Sequence, residues 1–273
     1  MVELEDHAGD VVRKAMFGLG VGMHALVART GLSLPAIAAL RDGRGAPADF
    51  AAAAAALGLD GPALVALAAG GYEPGVAVPE GLAVVSTPHG ELVVNAYMAW
   101  APGATQAVAF DTGTDARPLL AVLAARGLGL AAVFVTHGHR DHVGAASALI
   151  EATGAPLHAP AAEPQPGASP VRPGERFEVA GLVIEALETT GHTVGGTSYR
   201  VGGLGVPLVV VGDALFAGSM GGGLASYADA LRTNRTALLT LPPDTVVAPG
   251  HGPLTTIGLE RLHNPFFGPG AAP

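Results

Sequence analysis

The sequence predicts an α/β domain preceded by a small helical domain, and the pattern of apolar residues changes where the two domains meet. Residues 1–76 place apolar side chains at helical spacing, contain few β-branched residues and are divided by glycines, as expected for short helices. After Pro74 and Pro79, valine-rich runs alternate with helical stretches, the pattern of an α/β domain. We therefore predict a helical domain at residues 1–76 and an α/β domain at residues 77–273.

Individual elements follow from the same patterns. Helices are expected near 115–126, 142–152 and 225–240, because these stretches separate the apolar runs. The proline-rich passage 156–173 is expected to be a surface loop around a short strand, since repeated proline disfavours both helix and sheet. Strands are expected at 82–85, 91–97, 107–110, 131–135 and 208–211.

Composition narrows the function classes. The 273 residues are 49% apolar, enough for an extensive core, and the net charge of −9 disfavours nucleic acid as a partner. The absence of cysteine excludes disulfides and thiolate ligands, so His, Asp and Glu must hold any metal. The acidic start MVELEDHAGDVVRK lacks the pattern of a secretory signal, and Asp60 and Pro62 interrupt the alanine-rich stretch 50–71. We expect a cytoplasmic protein without a membrane partner.

The segment 136–144, THGHRDHVG, is the strongest functional signal. His137, His139, Asp141 and His142 lie within six residues directly after an apolar run. Imidazole and carboxylate are ligands of divalent transition metals, and crowding them beside a buried strand is costly unless something binds them. His137 and His139, two residues apart at a strand end, project to one side and can reach one ion. Asp141 and His142 open the next helix and can turn toward a neighbouring ion.

Later segments place one ligand-type residue each in a glycine-bearing turn beside an apolar strand. They are His192 in TGHT, Asp213 in GDA and His251 in PGHG. Any one of them alone would more often be a hydrogen-bonded loop residue, but together with the first cluster they predict metal ligands. The remaining histidines are not expected to bind metal, with His89 as the candidate exception; they are His7, His24, His89, His158 and His263.

Over roughly residues 80–264 these positions resemble the metallo-β-lactamase superfamily, whose His-x-His-x-Asp-His signature is matched by residues 137–142. The resemblance implies a four-layer αββα sandwich. It also implies that one ion is held by His137, His139 and His192, the other by Asp141, His142 and His251, and that Asp213 bridges both. We expect zinc, with iron or manganese as alternatives, since N/O donors accept all three metals.

A pair of divalent ions acidifies a shared water and polarises a substrate oxygen, so we expect hydrolysis by a metal-bridging hydroxide that Asp141 or Asp213 orients. The tracts VGDALFAGS (211–219), PGHGPLTT (249–256) and HNPFF (263–267) resemble the hydroxyacylglutathione hydrolase (glyoxalase II)-like branch, which implies a small-molecule thioester or related ester as substrate. Only 22 residues follow His251, so the basic C-terminal helical domain that grips glutathione in that branch is not expected here. The glycine run 221–223 either admits the substrate or serves as a flexible connector.

Alternatives remain within and outside this class. A lactonase or a sulfur dioxygenase with a single iron uses a similar ligand set, whereas the acidic charge disfavours nucleases and the missing export signal disfavours a β-lactamase. Residues 30–67 resemble a Cro/repressor-type helix-turn-helix, which implies a ligand-sensing DNA-binding regulator. Residues 34–40 are almost wholly apolar or small, and residues 1–76 are net acidic, the wrong sign for DNA. We expect these helices to pack on the hydrolase domain, shape the substrate mouth or form a homodimer contact.

Overall fold

The computed structural model describes residues 3–272 and begins with a helical segment, as predicted. Ser33 and Asp60 cap the N-termini of two of its helices with their side chains, and Gly31 and Gly58 end two others in the left-handed conformation. The helices are α1 (Ala8–Gly18), α2 (Met23–Thr30), α3 (Leu34–Arg41), α4 (Pro47–Leu57) and α5 (Gly61–Ala68).

The strands of the described chain form two six-stranded sheets. The first sheet has the order β1-β2-β3-β4-β5-β6, with antiparallel pairing from β1 to β3 and parallel pairing from β3 to β6. The strands of this sheet and the helices that connect them are β1 (Leu82–His89), β2 (Leu92–Ala99), β3 (Gln106–Phe110), α6 (Arg117–Arg126), β4 (Gly129–Phe134), α7 (Arg140–Val143), α8 (Ala146–Thr153), β5 (Leu157–Pro160) and β6 (Ser169–Val171).

The second sheet has the order β12-β11-β10-β9-β8-β7, and β10 pairs in parallel with β11 while the other neighbours are antiparallel. A π-helical turn, Asn234–Leu238, directly continues helix α9. The elements are β7 (Arg176–Val179), β8 (Leu182–Glu188), β9 (Thr197–Gly202), β10 (Leu208–Gly212), α9 (Tyr227–Thr233), β11 (Val246–Pro249), β12 (Thr255–Thr256) and α10 (Ile257–His263).

The period-2 alternation of strand side chains sorts the apolar residues into layers. In β10, Leu208 and Val210 face the cluster between the two sheets, whereas Val209 and Val211 face the helices outside the second sheet. On the other side, α6 and α8 pack on the outer face of the first sheet. The result is the predicted αββα sandwich.

The N-terminal helices belong to the outer layer of the second sheet. Buried residues of α1, α2 and α5, such as Val11, Leu26 and Leu64, share one apolar cluster with Val209 and Phe266. A buried carboxylate reinforces this packing, because Glu260 accepts hydrogen bonds from Tyr72 Oη (2.5 Å), which lies after α5, and from the backbone N–H of Gly218 (3.0 Å). The helical segment is thereby held against the turn that follows β10.

The structure also differs from the sequence expectations in one place and adds to them in another. The proline-rich stretch 156–173 contains two paired strands, β5 and β6, rather than a loop with one strand. Pro170 is tolerated because β6 is the edge of its sheet, and Pro160 is the last residue of β5. The antiparallel strands β7, β8 and β9 were not among the predicted strands.

In the described residues no single helix is long and apolar enough to cross a membrane, although α1 and α2, bent by 104°, pass that test as a pair.

Candidate metal centre

The ligand-type residues meet at one end of the sandwich, where several strands finish. His137 and His139 follow β4, and α7 carries Asp141 and His142. Asp213 comes directly after β10. His192 lies in the loop between β8 and β9, and His251 lies between β11 and β12. The structure therefore brings together all seven residues that the sequence singled out, in two neighbouring groups.

The first group consists of His137, His139, His192 and Asp213. His139 Nδ1 lies 3.0 Å from His137 Nε2 and 3.1 Å from His192 Nε2. Asp213 Oδ2 lies 3.4 Å from His192 Nε2 and 3.9 Å from His137 Nε2. The four donor atoms thus all lie within 4.8 Å of one another.

The second group consists of Asp141, His142 and His251. Asp141 Oδ2 lies 3.3 Å from His251 Nε2 and 3.7 Å from His142 Nε2. The Asp213 carboxylate also reaches this group, with Oδ1 3.3 Å from His142 Nε2 and Oδ2 3.6 Å from His251 Nε2. Among the described residues, Asp213 is therefore the carboxylate that lies within 4 Å of histidine nitrogens in both groups.

These groups fit divalent ions. A tetrahedral ion with bonds of about 2.0–2.1 Å separates its ligand atoms by roughly 3.3–3.4 Å, close to the spacings found here. In the part of the chain that the structure describes, His142 Nε2 and Asp213 Oδ1 are buried without a hydrogen-bond partner. Such atoms are costly to bury unless something binds them, and both point into the cluster.

Backbone and side-chain acceptors orient the imidazoles. Four histidines turn Nε2 toward the cluster while Nδ1 meets an oxygen acceptor, which fixes the tautomer whose Nε2 lone pair faces inward. The acceptors are Thr136 Oγ1 for His137 (3.0 Å), Asp111 Oδ2 for His142 (2.7 Å), Gly222 O for His192 (2.9 Å) and Val93 O for His251 (2.8 Å).

Asp111 is a supporting residue that the sequence analysis missed. It is buried directly after β3, and its carboxylate also accepts hydrogen bonds from Thr136 N (2.7 Å) and Thr136 Oγ1 (2.8 Å). Asp111 thus orients His142 directly and His137 through Thr136. Its sequence context could have identified it, because Asp111, like Asp213, lies within two residues of a glycine at the end of an apolar run.

The carboxylates of the centre are ionised at neutral pH. Burial raises the pKa of Asp213, but His142, His137 and His251 outweigh it and hold that pKa well below the ordinary value. Burial likewise raises the pKa of Asp141, whereas the hydrogen bond with His251 and the charge of His142 lower it to about 2. Both side chains are therefore ready to act as ligands.

The pKa shifts of four histidines differ in direction between the two groups. Burial, together with the charges of neighbouring histidines, lowers the pKa of His137 and His192. Burial also opposes protonation of His142 and His251, but the nearby carboxylates outweigh it and raise both pKa values. His137 and His192 are accordingly neutral without an ion, whereas ion binding by His142 and His251 must displace protons.

Within the glycine run 221–223, Gly221 packs tightly on the centre. A Cβ on Gly221 would lie 1.9 Å from the carbonyl oxygen of Asp213 and 2.9 Å from Nδ1 of His192, so only glycine fits without displacement. The next residue, Gly222, gives its carbonyl to His192. Gly221 is thus a close-fitting support for the site, and Gly222 contributes through its backbone carbonyl.

The N-terminal segment also reaches the centre. Lys14 Nζ donates a hydrogen bond to the carbonyl of Met220 (2.8 Å), which precedes the glycine run, and pairs with Asp6. Glu5 Oε2 lies 3.9 Å from His251 Nδ1. The other five histidines take no part in the ligand clusters of the described residues; His7, for example, caps α1, and His158 stacks on Phe134.

Comparison with known proteins agrees with this fold. The Metallo-beta-lactamase superfamily model matches residues 89–251, more than half of the chain. The chain belongs to the metallo-β-lactamase superfamily. The match begins after residues 30–67, so the helix-turn-helix resemblance of that segment has no support here.

Relatives within the superfamily refine the comparison. The chain is 37% identical over 151 residues to the hydroxyacylglutathione hydrolase of Methylobacillus flagellatus, covering 53% of this chain and 57% of that relative. It is similar to the crystal structure of ETHE1 from Myxococcus xanthus, with a TM-score of 0.60, 30% identity and coverage of 68% of this chain and 84% of that one. The structure of TTHA1623 in a di-iron-bound form gives a TM-score of 0.56, 33% identity and coverage of 67% and 100%.

Proposed function

We propose that the protein is a binuclear metal-dependent hydrolase that cleaves a thioester or a related ester. The observation that carries the proposal is the position of Asp213, whose carboxylate lies within 3.9 Å of ligand-type nitrogens in both groups. When bound, two divalent ions would acidify a water and polarise the carbonyl oxygen of the substrate. Zinc is our first choice, and the di-iron-bound relative keeps iron as an alternative.

The protein's own residues have defined tasks in such a reaction. Asp141 and Asp213 are the candidate catalytic carboxylates, since both are ionised and lie at the junction of the groups, where they accept hydrogen bonds from an attacking water and orient it. The histidines hold the ligand geometry, and their Nδ1 partners prevent the rings from rotating. No serine or cysteine nucleophile is required.

The surroundings of the centre favour an ester with an apolar part over a phosphodiester. Val194, two residues beyond His192, and Leu224, two residues beyond Gly222, are more than 60% exposed. Val93, whose carbonyl holds His251, is also exposed. Lys14 is already engaged by Asp6 and the carbonyl of Met220, so it does not offer a free cation for phosphate.

A hydrolysis screen tests this proposal. The metal-loaded protein is incubated with thioesters of glutathione and of a shorter thiol, with lactones and with a phosphodiester, and product release is followed. We expect turnover of thioesters or esters and its loss in Asp213→Ala. Turnover of the phosphodiester alone would reject the proposed substrate class.

A second candidate is a sulfur dioxygenase with one iron, because the first group contains a complete ligand set by itself. The second group argues against it, since His142 Nε2 is buried and aimed at Asp213 without a hydrogen-bond partner in the described chain. Oxygen uptake by a protein that holds one iron per chain would favour this alternative over hydrolysis.

A further inference from the structure

One side chain outside the predicted ligand set joins the two loops that carry the first group. Glu163 lies in the connection between β5 and β6. Its Oε2 accepts a hydrogen bond from the backbone N–H of Gly138 at 2.6 Å, and its Oε1 accepts one from the backbone N–H of Gly195 at 2.6 Å. The two oxygens of one carboxylate thus hold two segments that lie far apart in sequence.

The position of each bond matters for the metal centre. Gly138 is the residue between His137 and His139, so its peptide sets the spacing of those two imidazoles. Gly195 follows His192 by three residues in the loop that leads into β9. Every histidine of the first group is therefore within three residues of an amide that Glu163 holds.

The local sequence permits this close approach. A Cβ on Gly138 would lie 3.0 Å from Glu163 Oε2, and a Cβ on Gly195 would lie 2.9 Å from Glu163 Cγ. Side chains at either position would push the carboxylate away from the amides. Glycine at both positions is thus what allows two short bonds to a single acceptor group.

We propose that Glu163 is a positioning residue that holds His137, His139 and His192 in register for the first ion, and that it acts on this group selectively. The inference rests on the proposed metal centre. The second group has different supports, because Asp111 holds His142 and the carbonyl of Val93 holds His251. Loss of the Glu163 bonds should therefore weaken one ion site and spare the other.

The test is a metal titration of Glu163→Gln. Glutamine has one acceptor oxygen, so it keeps at most one of the two bonds and turns an amide NH₂ toward the other N–H. Metal-free protein is titrated with Zn²⁺ against a chelator to obtain two stepwise binding constants. His139→Ala identifies the constant of the first group, and His251→Ala identifies that of the second.

We expect Glu163→Gln to weaken the constant that His139→Ala abolishes by about 10–100-fold, the usual effect of losing a residue that orients a ligand. The constant lost in His251→Ala should stay within about threefold of wild type. The matched control is Glu175→Gln, because Glu175 Oε2 also accepts a backbone N–H, that of Arg172 at 2.9 Å, but in an exposed turn. This control should leave both constants unchanged.

Other results would overturn the inference. Unchanged binding of both ions by Glu163→Gln would show that the bonds do not position ligands. An equal fall in both constants, together with a lower melting temperature of the metal-free variant, would show a general structural role. If Glu163→Gln does not fold, Glu163→Asp, which is too short to reach both amides, must give the same selective loss. Selective metal loss without any ester hydrolysis by wild type would leave the inference standing and reject the proposed function.

Discussion

Replacing Asp111 by asparagine removes one charge from the support of the second group while keeping the size of the side chain. Asp111 has φ +56°, a conformation that asparagine tolerates, so the substitution adds little backbone strain. Its Oδ2 accepts hydrogen bonds from His142 Nδ1 (2.7 Å) and Thr136 Oγ1 (2.8 Å), and its Oδ1 accepts one from Thr136 N (2.7 Å). Asparagine can keep only the acceptor at one of these two oxygens.

The magnitude follows from the lost bonds. Asparagine loses one of the three bonds if its oxygen takes the Oδ2 position and two if its oxygen takes the Oδ1 position. A buried hydrogen bond to a charged group contributes about 1.5–3 kcal/mol, so Asp111→Asn should lower the free energy of unfolding by about 1.5–6 kcal/mol. His142 can limit this loss by giving up its Nδ1 proton, keeping the proton on Nε2 and accepting a hydrogen bond from the new NH₂ at Nδ1. That tautomer places a proton on the nitrogen that faces the second ion, so the variant then loses metal instead of stability.

The assay pairs urea unfolding of the metal-free protein with metal analysis of the loaded protein. The control is Asp115→Asn, because Asp115 lies in the same loop but pairs with Arg117, whose side chain is 89% exposed. An exposed pair of this kind contributes about 0–1 kcal/mol. If Asp111→Asn keeps both its stability within about 1 kcal/mol and its full metal content, the assigned role of Asp111 is wrong.

Two further predictions concern other parts of the chain. Gly221→Ala should cost about 1–3 kcal/mol and weaken metal binding, because its Cβ would clash with the carbonyl of Asp213 at 1.9 Å. The control for urea unfolding and metal titration is Gly202→Ala, whose Cβ meets only Val183, at 3.8 Å. Burial lowers the pKa of His158 below 6.5, so its neutral form stabilises the fold above that pH and the contribution is lost as pH falls through the lowered value. His158→Phe should therefore lose less stability than wild type between pH 7.5 and pH 5, and equal losses in urea unfolding would contradict this.

The ligand residues were predictable because the sequence concentrates their chemistry. Three histidines and an aspartate within six residues are rarely tolerated without a ligand, and His192, Asp213 and His251 share the context of a glycine turn beside an apolar run. The resemblance to a known superfamily then supplied the grouping of these residues. The structure places them in that grouping, while their role as metal ligands stays a prediction.

The supporting residues were not predictable in the same way. Glu163 is separated from Gly138 by 25 residues and from Gly195 by 32, and a glutamate in a proline-rich loop carries no local sign of such contacts. The tight packing of Gly221 on Asp213 likewise depends on how two loops meet. These contacts are set by tertiary structure, which periodicity and spacing do not encode.

The fold, too, was predictable from the sequence only in part. Near Pro79 the helical spacing of apolar residues gives way to valine-rich runs. This change indicated where the strands begin, and β1 starts at Leu82. The sequence left open where the N-terminal helices pack, because their alanine-rich faces fit many apolar surfaces. Their shared cluster with Val209 and the contact of Lys14 with Met220 became visible only in three dimensions.

The most direct test of the central claim is the number of metal ions that each chain binds. Metal-free protein is titrated with Zn²⁺ to saturation, the excess is removed, and the retained metal is measured for wild type and for Asp213→Ala. We predict two ions per chain for wild type and at most one for the variant, because Asp213 is the carboxylate shared by both groups. A single retained ion per wild-type chain, or two ions in Asp213→Ala, would contradict the binuclear centre.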